Sequence, residues 1–318
     1  MVVLLANKGK VRLDRKRNLI EIDKMNKFKG AGIALVTPFN EDDSIDYVGL
    51  KNLINYVIEG GATYLVSLGS TGESATLDRN ERKTVLEYTA EIVNKRVPLI
   101  AGIGGNVTHE VVKSLKQFSS EGFDAILSVS PYYNKPSQDG IYKHYKAVSE
   151  ASSLPIILYN VPSRTGSNIT SETTLRLAHD FKNIIGIKEA SGNFDQFNEI
   201  IRDKPHEFLF ISGDDAITLP LIAMGAVGVI SVIGNVIPQI FSTMVRLCLE
   251  GKFTEAQPLH YKMIELTRLL FLEGNPAGVK AALRQFEICG DHLRLPLTSI
   301  SKDTFDNMAK QLRMFRRI

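Results

Sequence analysis

Residues 155–188, PIILYNVPSRTGSNITSETTLRLAHDFKNIIGIK, contain one complete strand–helix–strand unit. The apolar runs Pro155–Leu158 and Ile184–Ile187 contain no polar side chain, as expected for strands that are buried on both faces. Between them, Ser171–Asp180 has the apolar spacing of an amphipathic helix. Because parallel neighbours need such a crossover, the segment predicts two parallel strands joined by a helix.

The same unit recurs along the chain on both sides of this segment. Eight short apolar runs alternate with amphipathic stretches, in units of roughly 20 to 33 residues. The predicted strands are Gly32–Thr37, Tyr64–Ser67, Pro98–Gly102, Ala125–Ser128, Pro155–Leu158, Ile184–Ile187, Phe208–Ile211 and Gly228–Ser231. The predicted helices between them are Asp46–Glu59, Asp78–Asn94, Thr108–Glu121, Asp139–Ser152, Ser171–Asp180, Phe194–Arg202 and Ala216–Met224.

Eight such units predict an α/β fold of the (β/α)8 (TIM) barrel type. A doubly wound open sheet is the rival, but it needs fewer strands and usually a glycine-rich turn where Thr37-Pro38-Phe39 stands. We predict a barrel with the active site over residues 28–237 and a C-terminal helical subdomain over residues 238–318 that supports oligomer contacts. Residues 1–27 are predicted to form a disordered extension. The helices predicted after the barrel are Gln239–Leu249, Phe253–Phe271, Pro276–Cys289 and Ser301–Met314.

Charge and cysteine usage narrow the functional class. Residues 1–29 hold nine Lys or Arg against three acidic residues, whereas the remainder holds 29 basic and 32 acidic residues. The body is therefore mildly acidic, which disfavours nucleic-acid binding. Only Cys248 and Cys289 are present, far apart, as in a protein of the reducing cytoplasm. No apolar run approaches the ~20 residues of a membrane span.

The ends of the predicted strands show which chemistry is absent. Active sites of such barrels form where the strands end at their carboxyl side. All six histidines fall on predicted helices or outer loops, so no metal site and no cofactor are expected. A phosphate loop of the GxxxxGK[ST] type is also missing, and the Asp214-Asp215 pair would repel a phosphate. Metal-dependent and phosphate-binding enzymes are therefore disfavoured.

Lys188 is the most informative residue at these strand ends. It follows the apolar run Ile184–Ile187, where desolvation disfavours an ammonium ion and leaves the amine able to attack a carbonyl. A structural alternative is a lysine at a strand end that is paired with Glu189 or Asp214. Nucleophilic catalysis is preferred over this structural role only if further reactive groups surround the amine.

Hydroxyl groups and an arginine on neighbouring strand ends supply these groups. Tyr159 ends the preceding strand, and Ser70 and Tyr133 follow two others, so that the three could pass protons between the site and solvent. Arg164 follows Tyr159 and suits a carboxylate, as do the backbone N–H groups of the GSTGES loop. Ordinary packing remains the alternative for each aromatic residue. Together these groups indicate an enzyme that joins a 2-oxo acid to an acidic partner.

The ordered motifs GSTGESATL, AGIGGN, SPYYNKPSQ, LYNVPSRTG, IIGIKEASG, SGDD and GVISV resemble those of the 4-hydroxy-tetrahydrodipicolinate synthase (dihydrodipicolinate synthase) family. The resemblance runs from about Phe28 to the C-terminus. It implies that pyruvate condenses with Lys188 and then, as an enamine, attacks the aldehyde of L-aspartate 4-semialdehyde, on the diaminopimelate route to L-lysine. It also implies a homotetramer built as a dimer of dimers.

The resemblance assigns roles to single residues. Lys188 would form the Schiff base and Tyr159 would donate and accept protons. Ser70 and Tyr133 would complete the relay, with Tyr133 reaching the site of the neighbouring subunit. Arg164 would hold the semialdehyde carboxylate, and the resemblance assigns pyruvate contacts to Thr71 and Ile230. Members of the family usually carry Thr where Ser70 stands, so the hydroxyl is kept without the methyl that restrains its rotamer.

A feedback site for L-lysine is matched in part. Arginines replace the histidines that some inhibited members carry at two positions, which adds positive charge near Glu110, the natural partner of a ligand ammonium. The sequence therefore predicts feedback inhibition by lysine, but it does not determine how strong that inhibition is. The residues of this predicted site are Ala75, Arg79, Arg82, Asn106, Glu110 and Tyr132.

Two other functions remain open at this stage. A sialic acid (N-acetylneuraminate) or 2-keto-3-deoxy sugar acid aldolase would share Lys188, Tyr159 and the GSTGE loop. It would need polyol-binding groups in place of Arg164 and the Tyr132-Tyr133 pair. A catalytically silent regulatory barrel would have no reason to keep all of these residues.

Overall fold

The eight apolar runs form the strands of a closed parallel barrel, in chain order around the ring. This computed structural model describes residues 27–315. The predicted TIM barrel is confirmed, and its strands are β1 Gly30–Ala34, β2 Tyr64–Ser67, β3 Leu99–Gly102, β4 Ala125–Val129, β5 Ile156–Asn160, β6 Ile184–Glu189, β7 Leu209–Ser212 and β8 Gly228–Ser231. Strands β5 and β6 extend beyond their apolar runs, so Tyr159 and Lys188 lie inside the sheet instead of just after it.

Helices surround the barrel and continue beyond it. Asp78 and Glu81 form the predicted capping box at the start of the second helix. The helices are α1 Tyr47–Glu59, α2 Arg79–Val93, α3 Thr108–Gln117, α4 Gln138–Ala151, α5 Pro162–Thr165, α6 Ser171–Asp180, α7 Phe194–Asp203, α8 Thr218–Met224, α9 Pro238–Leu249, α10 Phe253–Leu272, α11 Ala277–Gln285 and α12 Lys302–Leu312. None of the described helices is both long and apolar enough to cross a lipid bilayer.

Aromatic rings fill the amino-terminal end of the barrel. Tyr64 is fully buried and meets Phe28 edge to face, with 5.8 Å between the ring centroids. Gly32 makes room for this ring, since a Cβ there would lie 2.1 Å from the Tyr64 side chain. With this end packed by apolar rings, the polar groups of the barrel interior gather at the opposite, carboxyl-terminal rim.

Helix α9 connects the barrel to the C-terminal helices. It contacts β1, β8 and α1 on one side and α10 on the other, so it takes the place of the eighth barrel helix. Helices α10, α11 and α12 pack on one another beyond it. The predicted domain boundary at residue 238 stays a prediction, as does the separate role of residues 238–318. Apart from Lys27, the predicted N-terminal extension lies outside the described residues.

Candidate active site

Lys188 and Tyr159 lie side by side at the carboxyl end of the barrel. They are directly paired in the β5–β6 ladder, and the Lys188 Nζ lies 4.4 Å from the centroid of the Tyr159 ring. Both side chains are buried, with exposures of 5% and 6%. On the other side Lys188 pairs with Ile211, which belongs to the apolar barrel interior. The amine therefore lies in a dry environment beside a phenol.

The two carboxylates that could neutralise Lys188 have other partners. Glu189 points to the opposite side of β6, as alternation along a strand requires, and accepts hydrogen bonds from Asn160, Gln196 and the Ser191 backbone N–H. Asp214 caps the turn at residue 216 through its Oδ1, at 2.8 Å from the Ala216 N. The structural alternative of a lysine paired with either carboxylate is therefore wrong.

The amides around Glu189 hold the ends of β5 and β6 together. Asn160, next to Tyr159, pairs with Glu189 across the ladder and donates to both of its carboxylate oxygens, at 3.1 and 3.0 Å. Asn160 also donates to Asn168 at 2.7 Å, which fixes the segment that follows β5. Burial raises the pKa of Glu189, while these hydrogen bonds act in the opposite direction. This hydrogen-bond network lies on the opposite face of β5 and β6 from Tyr159 and Lys188, and it holds both strand ends in place.

The GSTGE loop turns sharply at the end of β2. Leu68 and Glu73 have left-handed backbone conformations, with φ of 58° and 51°, and a short 3-10 helix spans Ser70–Gly72 between them. Gly102 on β3 allows this turn, because a Cβ there would lie 2.2 Å from the Leu68 carbonyl oxygen. Within this loop Thr71 is buried and Ser70 is exposed. Of the residues expected to contact pyruvate, Ile230 is also buried in the barrel interior.

Tyr133 points into solvent rather than toward Lys188 of the same chain. Its side chain is 85% exposed, and its backbone has a φ of 73°, a rare conformation for an aromatic residue. A hydrogen bond from its N–H to the Thr165 carbonyl, at 3.1 Å, holds this backbone in place. The single chain therefore does not bring Tyr133 to the buried pair.

Arg164 lies on a short helix rather than on an irregular loop. Pro162 begins α5, and Gly166 ends it with a φ of 71°, the usual arrangement of these two residues at helix ends. The Ser167 hydroxyl donates to the Pro131 carbonyl at 2.8 Å, which joins this helix to the segment that carries Tyr133. Arg164 is exposed, so its guanidinium is available to a ligand.

All six residues of the predicted feedback site are exposed. They follow the carboxyl ends of β2, β3 and β4 and include the first turns of α2 and α3. Tyr132, 41% exposed, lies next to Tyr133, and Val107, 54% exposed, lies next to Asn106. This part of the surface is thus both polar and apolar, as interfaces between subunits are.

Comparison with known proteins decides the family. A model of the dihydrodipicolinate synthetase family matches residues 27–314. A 4-hydroxy-tetrahydrodipicolinate synthase of Phocaeicola vulgatus is 54% identical over 282 residues, which cover 89% of this chain and 95% of that protein. The chain belongs to the dihydrodipicolinate synthetase family.

Crystal structures of family members agree with this assignment. The dihydrodipicolinate synthase of Acinetobacter baumannii, complexed with pyruvate, has a TM-score of 0.88 and 38% identity, covering 91% of this chain and 99% of that chain. The enzyme of Cyanidioschyzon merolae, with lysine bound, has a TM-score of 0.88 and 37% identity, covering 92% and 99%. This dihydrodipicolinate synthetase family member is thus an enzyme with the predicted fold.

The structure adds residues that the sequence analysis of this family member missed. Asn275 and Lys280 of the C-terminal region reach the GSTGE loop, where Lys280 pairs with Glu73. A sequence signal existed for one of them, because Lys280 interrupts the otherwise apolar run Ala277–Leu283 on a buried helix. Nothing in the spacing of residues indicated Asn275. Within the described residues, no cluster of three or more His, Cys, Asp or Glu side chains could hold a metal ion.

Asp215, which the sequence indicated only as half of an acidic pair, holds the end of β8 in this dihydrodipicolinate synthetase family member. It is 5% exposed, and its Oδ2 accepts hydrogen bonds from the backbone N–H groups of Val232 and Ile233, at 3.0 and 2.8 Å. Burial raises the pKa of Asp215 from 3.8 to about 6. These bonds fix the backbone directly after Ile230.

The raised pKa of Asp215 predicts a pH-dependent stability. Between pH 4 and 6 the folded chain holds a proton that the unfolded chain has lost, so the free energy of unfolding falls as pH rises, by about 2 to 3 kcal/mol in total. Asp215→Asn should abolish this contribution. Urea unfolding of both proteins at pH 4, 5, 6 and 7 measures it, and parallel stability profiles would contradict the prediction.

Proposed function

We propose that this enzyme is a 4-hydroxy-tetrahydrodipicolinate synthase, which condenses pyruvate with L-aspartate 4-semialdehyde on the diaminopimelate route to L-lysine. The observation that carries the proposal is the buried Lys188 amine, which has no carboxylate partner among residues 27–315 and lies 4.4 Å from the centroid of the Tyr159 ring. The names of the relatives reported above support the choice of substrates.

The proposed reaction begins with attack of the neutral Lys188 amine on the C2 carbonyl of pyruvate. Loss of water leaves an iminium ion, and loss of a methyl proton converts it to an enamine. The enamine carbon bonds to the aldehyde carbon of the semialdehyde, whose oxygen takes a proton. The amino group of the same substrate then attacks C2, and the lysine leaves as the free amine.

Tyr159 is the proposed proton donor and acceptor for these steps. Its ring lies against the amine, so a phenolic proton can reach the carbinolamine without crossing bulk solvent. Ser70 and Tyr133 would complete the relay to solvent, with both hydroxyl-bearing residues exposed in the single chain. Thr71 and Ile230 would contact pyruvate, and the exposed Arg164 would receive the semialdehyde carboxylate.

A coupled assay tests the proposed reaction directly. Purified enzyme should consume pyruvate only when L-aspartate 4-semialdehyde is supplied, and borohydride with pyruvate alone should add a pyruvyl-sized mass to the peptide that contains Lys188. Cleavage of N-acetylneuraminate or of a 2-keto-3-deoxy sugar acid at a higher kcat/KM would refute the synthase in favour of an aldolase. No adduct would favour a silent barrel.

A tetramer built as a dimer of dimers is the proposed assembly. Such symmetry needs two different self-complementary surfaces on each subunit. Exposed apolar side chains follow the carboxyl ends of β3 and β4, at Val107, Tyr132 and Tyr133. A second group lies on α10, away from the first in sequence, and comprises Tyr261, Ile264, Phe271 and Leu272. We place the protein in the cytoplasm, since Cys248 and Cys289 are both free thiols.

If Tyr133 serves the neighbouring subunit, two inactive variants should restore each other. Lys188→Ala and Tyr133→Phe, mixed after reversible dissociation, should recover up to about one quarter of wild-type activity, because each mixed dimer has one intact site. Mixing Lys188→Ala with Tyr159→Phe is the matched control, since Lys188 and Tyr159 belong to the same site and every mixed site is then defective. Equal recovery in both mixtures, or in neither, would exclude an exchange of Tyr133.

Feedback inhibition by L-lysine is proposed at the exposed site around Glu110. The Cyanidioschyzon merolae relative crystallised with lysine supports a lysine site in this family. Arg79 and Arg82 on α2 bring positive charge to the same region, which should weaken binding of a cationic ligand. We therefore expect inhibition only at millimolar L-lysine, and Arg79→His with Arg82→His should lower the inhibitory concentration. Activity unchanged by lysine in both proteins would disprove the proposal.

A further inference from the structure

Three contacts with other parts of the chain hold the GSTGE loop, which carries Thr71. The Thr37 hydroxyl, at the end of the first strand region, donates to the Gly72 carbonyl at 2.7 Å. Two further contacts come from the C-terminal region: Asn275 Nδ2 lies 3.0 Å from Thr71 Oγ1, and Lys280 Nζ lies 2.5 Å from Glu73 Oε1. The C-terminal region therefore contacts the loop on both sides of Gly72, at Thr71 and at Glu73.

We propose that Asn275 is a positioning residue for pyruvate. Its amide N–H donates a hydrogen bond to Thr71 Oγ1, so the Thr71 hydroxyl proton remains available to the substrate carboxylate. The inference rests on the proposed function, in which Thr71 contacts pyruvate. It makes the C-terminal helical region part of the substrate site, beyond any role in oligomer contacts.

The chemistry of a hydroxyl explains this effect. A threonine hydroxyl has one proton and two lone pairs, so it can donate only one hydrogen bond. The Asn275 amide occupies a lone pair, and the described residues show no other hydrogen bond at Thr71 Oγ1. A carboxylate can only accept, so the unused proton of Thr71 is matched to the anionic end of pyruvate.

Burial makes the direction of this hydrogen bond matter. Thr71 and Asn275 are 3% and 7% exposed, so bulk water does not compete for the hydroxyl. The Asn275 Oδ1 is itself buried without a hydrogen-bond partner in the described structure. An apolar side chain would avoid that unsatisfied oxygen, so the amide at this position indicates a use for its N–H group.

The Glu73–Lys280 ion pair holds the loop of Thr71 and the segment of Asn275 at a fixed distance from each other. Both side chains are fully buried, and Lys280 also donates to the His292 carbonyl at 2.9 Å. Glu73 lies two residues after Thr71, and Asn275 lies in the turn just before α11, the helix that carries Lys280. Gly278 seats this helix closely, because a Cβ there would lie 2.5 Å from the Leu270 carbonyl oxygen.

Replacing the amide by a carboxylate tests the proposal. Asn275→Asp keeps the shape but can no longer donate, so the Thr71 proton turns toward residue 275 and the KM for pyruvate should rise about 10- to 100-fold. The KM for L-aspartate 4-semialdehyde and kcat at saturating pyruvate should change less than about threefold. Asn307→Asp, an exposed change on the C-terminal α12, is the control for added charge.

A double-mutant cycle separates this role from a structural one. In a Thr71→Val protein, Asn275→Asp should have no further effect on pyruvate binding, because its influence passes through the Thr71 hydroxyl. If Asn275→Asp does not fold, Asn275→Ala completes the same cycle with a smaller expected effect. An unchanged pyruvate KM, an additive double mutant, or a loss of kcat alone would overturn the proposal. Borohydride trapping of pyruvate on the wild type distinguishes these outcomes from failure of the proposed function.

Discussion

Lys188→Arg is expected to lower turnover by at least about 10³-fold while the protein stays folded. Arginine keeps the positive charge and most of the side-chain length, but its guanidinium stays protonated and does not form a Schiff base. Lys188 is 5% exposed, and its partners on the neighbouring strands, Tyr159 and Ile211, carry no amine that could replace it.

Three measurements check this result together. Steady-state rates with both substrates report turnover, borohydride with pyruvate followed by mass spectrometry reports the adduct, and a thermal melt reports folding. Lys182→Arg is the matched control, because Lys182 is exposed just before β6 and should behave as the wild type. A pyruvyl adduct that persists in Lys188→Arg, or turnover within tenfold of wild type, would show that another amine performs the chemistry.

Lys280→Met is expected to be the most destabilising single change away from the catalytic groups. It leaves the Glu73 carboxylate fully buried without its cation, and breaking a buried ion pair in this way costs about 3 to 5 kcal/mol in free energy of unfolding. Burial already raises the pKa of Glu73 and lowers the pKa of Lys280, and their mutual attraction acts against both shifts. Urea denaturation at pH 7 measures the effect.

A second change should reverse much of that loss. Glu73→Gln combined with Lys280→Met removes both charges, so the double variant should be more stable than Lys280→Met alone. Lys83→Met serves as the control, because the Lys83–Glu87 pair is 74% and 57% exposed and its removal should not change stability measurably. A Lys280→Met protein within 1 kcal/mol of wild type would mean that Glu73 is neutral or solvated in the folded state.

The local spacing of apolar residues was sufficient to predict the order of the strands and helices. Strands buried on both faces are read as continuous apolar runs, and the eight runs became the eight barrel strands in the predicted order. Their positions after apolar runs also predict that Lys188 and Tyr159 lie at the carboxyl end, where register pairs them. The predicted β5 and β6 end too early, because a polar residue at the rim interrupts the apolar run without interrupting the hydrogen-bonded ladder.

The amino-acid sequence by itself determined the barrel and the amine at its rim, because periodicity and strand-end position are properties of neighbouring residues. Only the tertiary structure decided which partners those residues have. Glu189 accepts hydrogen bonds from neutral amides, Lys188 forms no ion pair within the part of the chain that the structure describes, and Asn275 contacts Thr71 from 204 positions away. Contacts of this kind join side chains from different elements of the folded chain, so no local pattern of residues predicts them.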